Sequence, residues 1–380
     1  MGKRVPMKIR EIRAVGLVGA TPEGGWSTEL RPEDSVHTLI FVETDEGLTG
    51  LGSVFTNVGL VRAALAVLEP LYRGESALEP ERVSEKLHQH TFWLGRGGSL
   101  THTISGIDIA LWDLLGQATG QPVGRLLGGR YRERVRPYAS ILVDQPEPLR
   151  DHLLALREQG FRAFKIGWGP FGRVSNRLDE AIVAAARTAI GPDDQLMVDA
   201  GGSDAFWPHG YKWALRTAHM LAAHDVAWFE EALPPDSLDD YVALRRAAPV
   251  PIAGGEVLTR RQAFQPWLAA GAFDIVQPDV TKVGGISEER RIGWMAQDHG
   301  IRFIPHGWNT AVGLAADLHL ASAFADTDLV EYIGGSAYVD DLVTEPWQLD
   351  ADGMLAIPDR PGLGITLNPA ALARYTSADG

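Results

Sequence analysis

The sequence predicts an α/β fold, in which short strands and helices alternate through most of the chain. Between about residues 135 and 335, eight apolar runs are separated by amphipathic stretches. Each run is too short for a helix and is bounded by turn-forming residues, which indicates a buried strand. Eight strands with helices between them are the number that closes a (β/α)8 barrel. We therefore predict a TIM-type barrel that forms the larger part of the protein.

The strands of this barrel can be placed from their apolar composition and their flanking turns. In chain order the predicted strands are Arg136–Ser140, Ala163–Gly167, Gln195–Asp199, Ala227–Glu230, Pro251–Glu256, Phe273–Asp279, Arg302–His306 and Leu329–Ile333. Amphipathic runs between them, such as Leu178–Ile190 and Tyr241–Ala247, predict helices.

One glycine-rich segment follows the second strand. Gly167–Gly172 fits the dinucleotide-binding pattern G-x-G-x-x-G. Pro170 and two aromatic residues do not suit a tight phosphate turn, and we expect the next helix to begin only near Asn176. We therefore predict no dinucleotide site.

The residues before the barrel have a different pattern. Val36–Val42 predicts a strand, Asp45-Glu46-Gly47 is typical of a turn, and Leu48–Gly52 can return as the partner strand. Apolar positions in Ile104–Ala118 share one helical face. This order of a hairpin followed by helices predicts a separate α+β domain.

We accordingly divide the chain into three parts. Residues 1–130 form the α+β domain, residues 131–350 form the barrel, and residues 351–380 form a tail that packs back on the first domain. A chain of 380 residues is long enough for one large and one smaller domain.

Composition excludes several classes of function. The net charge of −14 and the absence of a basic stripe argue against nucleic-acid binding. The lack of cysteine excludes disulfides, thiolate catalysis and cysteine-ligated zinc. The sequence contains neither an apolar run of about 18 residues nor an apolar signal segment, so we expect no membrane span and a cytoplasmic protein. We also expect a homo-oligomer.

Three acids close three successive predicted strands. They are Asp199, Glu230 and Glu256. Carboxylates that follow buried apolar runs are costly unless a cation lies among them, and adjacent strand ends lie about 4.8 Å apart. Any one of these acids alone would be interpreted as a surface residue, but three in a row predict a site for a hard divalent cation, most simply Mg²⁺.

The next two strands end in a second pair of reactive residues. Asp279 and His306 are expected to lie side by side at the mouth of the barrel. A carboxylate that accepts a hydrogen bond from one imidazole nitrogen makes the other nitrogen a better base. The alternative for His306 is a core histidine bonded to the backbone, and the neighbouring Asp279 favours a catalytic dyad.

Further charged residues lie on or near the strands. Lys165 lies inside an apolar strand, where it is expected to meet an anion, as a base, as a partner of a substrate carboxylate or in a structural salt bridge. Glu331 on the eighth strand can donate a proton or a hydrogen bond, or form a buried salt bridge. We expect Lys282 and Glu231 to be structural.

The ordered set of these residues resembles the mandelate racemase branch of the enolase superfamily. The first domain, with Asp45-Glu46-Gly47-Leu48-Thr49-Gly50 and the segment Ile107–Asp113, resembles the capping domain of that family, and the segment from Gln277-Pro278-Asp279 to Gly285 is also similar. The resemblance covers nearly the whole chain. It implies Mg²⁺ and removal of a proton next to a substrate carboxylate, which gives an enediolate.

Two departures from the family pattern bear on the reaction. Members with a base on the second strand usually have Lys-x-Lys, whereas this chain has Lys165 followed by Gly167, so we expect a gap where the second lysine would point. The family commonly has Asp-x-Asn at the first metal ligand, and here the sequence is Asp199-Ala200-Gly201. We expect this change to remove a side-chain contact near the metal.

Together these features predict a carbon–oxygen lyase, a hydro-lyase that dehydrates a sugar acid to a 2-keto-3-deoxy acid. His306, oriented by Asp279, would take the proton, and Lys165 would stabilise the enediolate. A racemase, an epimerase or a cycloisomerase on a related acid is the first alternative. A carboxylate-binding barrel without turnover is the second. Loops near Trp26 and Thr56 are expected to cap the pocket.

Overall fold

The computed structural model describes residues 7–20, 36–143 and 145–377. The first part of the chain forms a three-stranded antiparallel sheet covered by helices. Its elements are β1 (Ile9–Leu17), β2 (His37–Thr44), β3 (Thr49–Phe55), α1 (Val58–Tyr72), α2 (Pro80–His90), α3 (Ser99–Thr119) and α4 (Val123–Leu126). The predicted hairpin and the predicted helix are confirmed as β2, β3 and α3.

The second sheet is mostly parallel and alternates with helices. Its elements are β4 (Arg134–Leu142), α5 (Pro146–Glu158), β5 (Ala163–Gly167), α6 (Asn176–Ile190), β6 (Gln195–Asp199), α7 (Tyr211–Ala223), β7 (Val226–Glu230), α8 (Leu238–Ala247), β8 (Ile252–Gly254), α9 (Arg260–Ala270), β9 (Ile275–Val276), α10 (Gly285–Asp298), β10 (Arg302–Phe303), α11 (Ala311–Ser322) and β11 (Leu329–Ile333). A tail with α12 (Ala337–Asp340), β12 (Leu355–Ala356) and α13 (Pro369–Tyr375) follows. The helix α6 begins at Asn176, as predicted.

The eight strands from β4 to β11 form the predicted barrel. Seven parallel pairings run from β10 through β9, β8, β7, β6, β5 and β4 to β11. Between the two end strands, the Thr327 hydroxyl donates to the Phe303 carbonyl at 2.8 Å, and the Gly307 N–H donates to the Glu331 carboxylate at 2.8 Å. These side-chain bonds link the segments of β10 and β11 at the two ends of the strand order.

Three barrel strands are shorter than the sequence predicts. The strands β8, β9 and β10 end before Glu256, Asp279 and His306, so these residues lie in the turns that follow and do not close the strands themselves. Gly255 has a φ of +122°, which turns the chain out of the strand before Glu256. Asp279 and His306 still pair across an isolated parallel bridge. All three residues nevertheless lie at the predicted end of the barrel.

The strand β1 was not predicted from the sequence. It pairs antiparallel with β2, but its register shifts between Ile9 and Glu11. This irregularity breaks the alternation of buried and exposed residues by which a strand is recognised. The charged residues Arg10, Glu11 and Arg13 on its exposed positions obscure the pattern further.

Buried polar contacts join the first domain to the barrel. Asp108 on α3 accepts hydrogen bonds from the Ser287 N–H at 2.9 Å, from the Ser287 hydroxyl at 2.5 Å and from the Ser84 hydroxyl at 2.6 Å. The Trp112 indole N–H donates to the same serine oxygen at 2.9 Å. Burial raises the pKa of Asp108 to about 6 although these donors oppose the shift. The position of the first domain over the barrel is therefore set by directional bonds.

The tail contacts both parts of the molecule. The strand β12 pairs with β4, and Thr376 bridges to Leu17 at the end of β1. The Leu363 N–H donates to the Asp113 carboxylate on α3 at 2.8 Å. The division of the chain at residues 130 and 350 remains a prediction. No helix in the described part of the chain combines the length and the apolarity that crossing a bilayer requires.

Gly167, at the end of β5, is packed too closely for any side chain. It pairs with Asp199 across the β5–β6 ladder. A Cβ atom at Gly167 would lie 2.3 Å from the Asp199 carbonyl oxygen and 2.7 Å from the Asp199 Cβ. The gap that we expected at this position is absent, because the neighbouring strand fills it.

We predict that Gly167→Ala lowers the free energy of unfolding by about 1–3 kcal/mol, since the added methyl group overlaps backbone atoms that cannot move aside. Urea denaturation measures the change. Gly210→Ala is the matched control, because a Cβ atom there meets no atom within 4 Å. Its cost should stay below about 1 kcal/mol and reflect only helix capping. Equal stability of Gly167→Ala and the wild type would contradict this packing.

Candidate functional site

The strand period places charged residues directly above an apolar layer inside the barrel. The layer contains one side chain from each barrel strand or its extension: Tyr138, Ala163, Met197, Trp228, Ala253, Ile275, Ile304 and Leu329. Residues two positions further along a strand point the same way. The residues two positions after Ala163, Met197, Trp228 and Leu329 are Lys165, Asp199, Glu230 and Glu331. These four side chains therefore form a polar ring at the carboxyl ends of the strands.

The three predicted metal ligands are brought together. Oxygens of Asp199, Glu230 and Glu256 all lie within 4.8 Å of one another, and each residue is buried. Within the described residues this is the cluster of acids that could hold a metal ion. Three carboxylates at one point are the donor set that suits a hard divalent cation.

Each carboxylate of this cluster is held in place by neighbours. Asp199 accepts from the Gly201 N–H at 2.8 Å and from the Trp168 indole N–H at 3.1 Å. Glu230 accepts from the Trp228 indole N–H and the Gln277 amide, both at 2.9 Å. Burial and the nearby charge of Glu230 raise the pKa of Asp199 to about 8. Repulsion of this kind is relieved when a cation enters.

Lys165 provides the positive charge that lies closest to the acidic cluster of Asp199, Glu230 and Glu256. Its Nζ lies 2.6 Å from Glu230 Oε1, 2.9 Å from Glu331 Oε1 and 3.9 Å from Asp199 Oδ2. Burial lowers the pKa of Lys165, but the carboxylates of Glu230 and Glu331 outweigh burial and hold it well above its usual value. Lys165 is thus a fixed cation in the polar ring.

The predicted Asp279–His306 pair forms a direct hydrogen bond. His306 Nδ1 lies 2.8 Å from Asp279 Oδ2, and His306 Nε2 lies 3.1 Å from Glu256 Oε2. The other oxygen of Asp279 accepts from the N–H and the hydroxyl of Thr281. Burial raises the pKa of Asp279, but Lys282 and His306 outweigh burial and bring it to about 2. Asp279 is therefore ionised and fixes the orientation of the imidazole ring.

Two acids, Glu256 and Glu331, act on the charge of His306. Burial lowers the pKa of His306, but Glu256 and Glu331 raise it well above its usual value. Glu331 Oε2 lies 3.8 Å from His306 Nε2 and also accepts from the Gly307 N–H and the Tyr138 hydroxyl. Burial raises the pKa of Glu331, yet Lys165 and His306 lower it below its usual value. Glu331 is thus an ionised link between Lys165 and His306.

Lys282 and Glu231, which we expected to be structural, lie closer to the site than the sequence indicates. Lys282 lines the cavity, and its Nζ is 3.5 Å from Glu256 and 3.5 Å from Asp279. Glu231 begins the loop after β7 with a left-handed φ of 44° and accepts a hydrogen bond from Ser203, another lining residue. The spacing of residues along a strand could not predict that these two side chains lie near the site, because both belong to turns outside the strands.

The polar ring opens into a cavity of about 210 Å³. Much of its wall is apolar and was not predicted from the sequence: Phe55, Leu142, Trp168, Val257 and Trp308. Phe55 precedes Thr56, so the first domain contributes to the cavity wall near that residue, as expected. Trp26, the other residue named for a capping loop, lies outside the described residues.

Comparison with known proteins agrees with this architecture. Residues 149–371 match the family model for enolase C-terminal domain-like proteins. Residues 31–128 match the N-terminal domain of mandelate racemase and muconate lactonizing enzyme. A crystal structure of 3,6-anhydro-D-galactonate cycloisomerase from Zobellia galactanivorans has a TM-score of 0.86 and 29% identity, and the match covers 97% of this chain and 99% of that one.

Two curated relatives match along most of their length. A D-galactarolactone cycloisomerase of Agrobacterium fabrum is 35% identical, and the match covers 98% of this chain and 100% of that protein. An arabinonate dehydratase of Saccharolobus solfataricus is 32% identical, with 88% of this chain and 89% of that protein covered. The resemblance inferred from the motifs is confirmed, and the chain belongs to the mandelate racemase and muconate lactonizing enzyme family of the enolase superfamily.

Proposed function

We propose that this protein is a magnesium-dependent carbon–oxygen lyase that acts on a sugar acid. It removes the proton next to the carboxylate and expels the oxygen on the adjacent carbon, which leaves a 2-keto-3-deoxy acid after tautomerisation. The observation that carries this proposal is the hydrogen bond of Asp279 to His306, whose imidazole lines a cavity that Asp199 and Glu256 of the acidic cluster also line. Relatives named as sugar-acid dehydratases support the reaction class.

The acidic cluster fits the ion that this reaction needs. Asp199, Glu230 and Glu256 would hold Mg²⁺, which when bound supplies a Lewis acid for the substrate carboxylate. The fit rests on three buried carboxylates whose oxygens lie within 4.8 Å of one another. Such a cluster is stable without a cation only if some of the acids are protonated, as the raised pKa of Asp199 indicates.

The residues of the chain have separate tasks in this scheme. In its neutral form, His306 Nε2 accepts the α-proton, while Asp279 holds Nδ1–H and stabilises the imidazolium that forms. Lys165 places an ammonium group where negative charge develops on the substrate carboxylate. Glu331 keeps Lys165 and His306 at fixed positions through its contacts of 2.9 Å and 3.8 Å.

The reaction type follows from the bases that the cavity provides. Inversion at a carbon atom by two bases needs one base on each face. The position of the second base in related proteins is Gly167, which has no side chain and no room for one. A single imidazole can remove the α-proton and return it to the departing oxygen, so elimination needs no second base. This favours a lyase over a racemase or an epimerase.

A cycloisomerase is the second candidate, and one specific observation favours it. Two of the similar proteins are cycloisomerases of sugar-acid derivatives. The chemistry of the two candidates is the same up to bond cleavage. When the departing oxygen belongs to a ring, cleavage opens the ring and the product keeps every atom of the substrate. A carboxylate-binding barrel without turnover fits less well, because the imidazole and its carboxylate partner are in hydrogen-bonding contact.

The metal assignment predicts that Mg²⁺ raises thermal stability and that Glu256→Gln largely removes this effect. Saturation to 100 times the dissociation constant would stabilise the fold by about 2.7 kcal/mol. Loss of one carboxylate ligand should weaken binding at least about tenfold. Calorimetric titration with Mg²⁺ measures the affinity, and Glu180→Gln on the exposed side of α6 is the control. Wild-type affinity in Glu256→Gln would place the metal elsewhere.

The base assignment predicts that His306→Asn reduces exchange of the substrate α-proton with solvent deuterium by at least about 10²-fold. Asparagine preserves the size and polarity of the site but does not accept a proton. NMR of substrate incubated in deuterium oxide gives the exchange rate, and circular dichroism verifies the fold. Undiminished exchange would identify another residue as the base, with Lys165 as the next candidate.

The reaction type predicts a 2-keto-3-deoxy acid and no C2 epimer from every accepted open-chain acid. A panel of D-arabinonate, D-xylonate, D-galactonate and D-galactarolactone tests this by NMR and mass spectrometry. Loss of one water identifies the dehydratase, and a product of unchanged mass with an opened ring identifies the cycloisomerase. Accumulation of the epimer would refute the elimination and require a second base.

A further inference from the structure

We propose that Lys282 is a catalytic residue, whose ammonium group stabilises the oxygen that departs from the substrate. This inference rests on the proposed elimination and adds the residue that assists cleavage of the carbon–oxygen bond. Lys282 follows Asp279 by three positions, in the turn between β9 and α10. Its side chain lines the same cavity as Lys165 and His306.

The two lysines of the cavity differ in how many N–H donors of the ammonium group remain free to bind a ligand. Lys165 Nζ already has two close carboxylate contacts, at 2.6 Å and 2.9 Å. Lys282 Nζ has two contacts at 3.5 Å, with Glu256 and Asp279, which is the long limit for a hydrogen bond. An ammonium group has three donors. Among the described residues, Lys282 therefore forms no short hydrogen bond and has donors left for the substrate.

The surroundings of Lys282 keep its charge directed into the cavity. Its Nζ lies 4.5 Å from the centre of the Phe55 ring, which comes from the first domain and also lines the cavity. An aromatic face attracts the cation without using up a hydrogen-bond donor. The side chain is buried, with 6% of its residue surface exposed. Water therefore does little to weaken the interaction of this ammonium group with a ligand.

Lys282 and the base lie next to each other. The two oxygens of Glu256 contact them separately, Oε1 at 3.5 Å from Lys282 Nζ and Oε2 at 3.1 Å from His306 Nε2. Lys282 Nζ is also 3.5 Å from Asp279 Oδ2, the oxygen to which His306 Nδ1 is bonded. The substrate carbon that loses its proton to His306 is bonded to the carbon that loses oxygen. The departing oxygen is thus within reach of a cation beside His306.

The step balances without a further reactant. His306 takes the α-proton, the electron pair of that bond forms the double bond, and the carbon–oxygen pair leaves with the oxygen. Lys282 donates hydrogen bonds to the negative charge that develops there and stays an ammonium group throughout. The proton on His306 then passes to the departing oxygen, which leaves as water or as a hydroxyl group of the opened product. An electrostatic donor of this kind contributes about 10²-fold to 10³-fold in rate.

The test separates proton removal from bond cleavage by using two probes. The first is the acid of the panel that the wild type converts fastest, and the second is the 3-deoxy analogue of that acid. The analogue has an α-proton but no departing oxygen, so it reports exchange with solvent deuterium alone. For Lys282→Met we expect product formation from the first probe to fall at least about 10²-fold. Exchange of the analogue should fall much less than product formation does.

Controls exclude a purely structural effect. Lys282→Arg keeps the positive charge and should recover part of the product formation, and Lys212→Met removes an exposed lysine and should leave both rates unchanged. Equal losses of exchange and product formation in Lys282→Met would overturn the proposal, since the lysine would then only support His306. Unchanged product formation would overturn it as well. Failure of the wild type to exchange either probe would instead contradict the proposed function itself.

Discussion

Five carboxylates lie at the mouth of the barrel with less than a tenth of their surface exposed, and their mutual repulsion must be offset by the cations between them. They are Asp199, Glu230, Glu256, Asp279 and Glu331. Among the described side chains of the cavity wall, Lys165 and Lys282 are the fixed positive charges that face them. Buried charges of one sign are tolerated only when partners of the other sign are close. The positive charge that is still missing is what a divalent cation would supply. The need to balance charge explains why the acidic cluster, the Asp279–His306 pair and both lysines form one continuous network.

The barrel interior shows how a two-residue period builds this network. Each strand contributes an apolar side chain to the inner layer, and four strands continue with a charged side chain two positions later. The apolar layer contains Trp228 and Tyr138, whose polar atoms point to the ring above: the indole donates to Glu230, and the phenol donates to Glu331. The core therefore supports the site directly. If a strand shifted its register by one residue, its apolar side chain would leave the inner layer and its charged side chain would leave the polar ring.

The sequence was sufficient for the parts of the site that depend on strand ends. The positions of Asp199, Glu230 and Lys165 follow from alternation within β5, β6 and β7, of which β5 and β6 have the predicted bounds and β7 begins one residue earlier, at Val226. The parts that depend on turns could not be derived in the same way. Gly255 ends β8 early through its backbone conformation, and Lys282 reaches the cavity from the turn between β9 and α10, where strand alternation does not apply. The apolar residues of the cavity wall could not be predicted either, because Phe55 and Trp308 come from segments far apart in the chain.

Each of the two departures from the family pattern has an explanation in local packing. Trp168 follows Gly167 with a left-handed φ of 58°, and its indole N–H bonds to Asp199 at 3.1 Å. A Cβ atom at Gly201 would lie 2.7 Å from the Trp168 ring, and one at Gly167 would overlap Asp199. The indole thus occupies space that an asparagine at position 201 would need, and it donates its own hydrogen bond to Asp199. Because a Cβ atom at position 167 would overlap Asp199, restoring a lysine there alone would not restore a second base. The packing of β5 against β6 thus leaves no room for a second base at position 167, and this is the structural reason for which we propose an elimination.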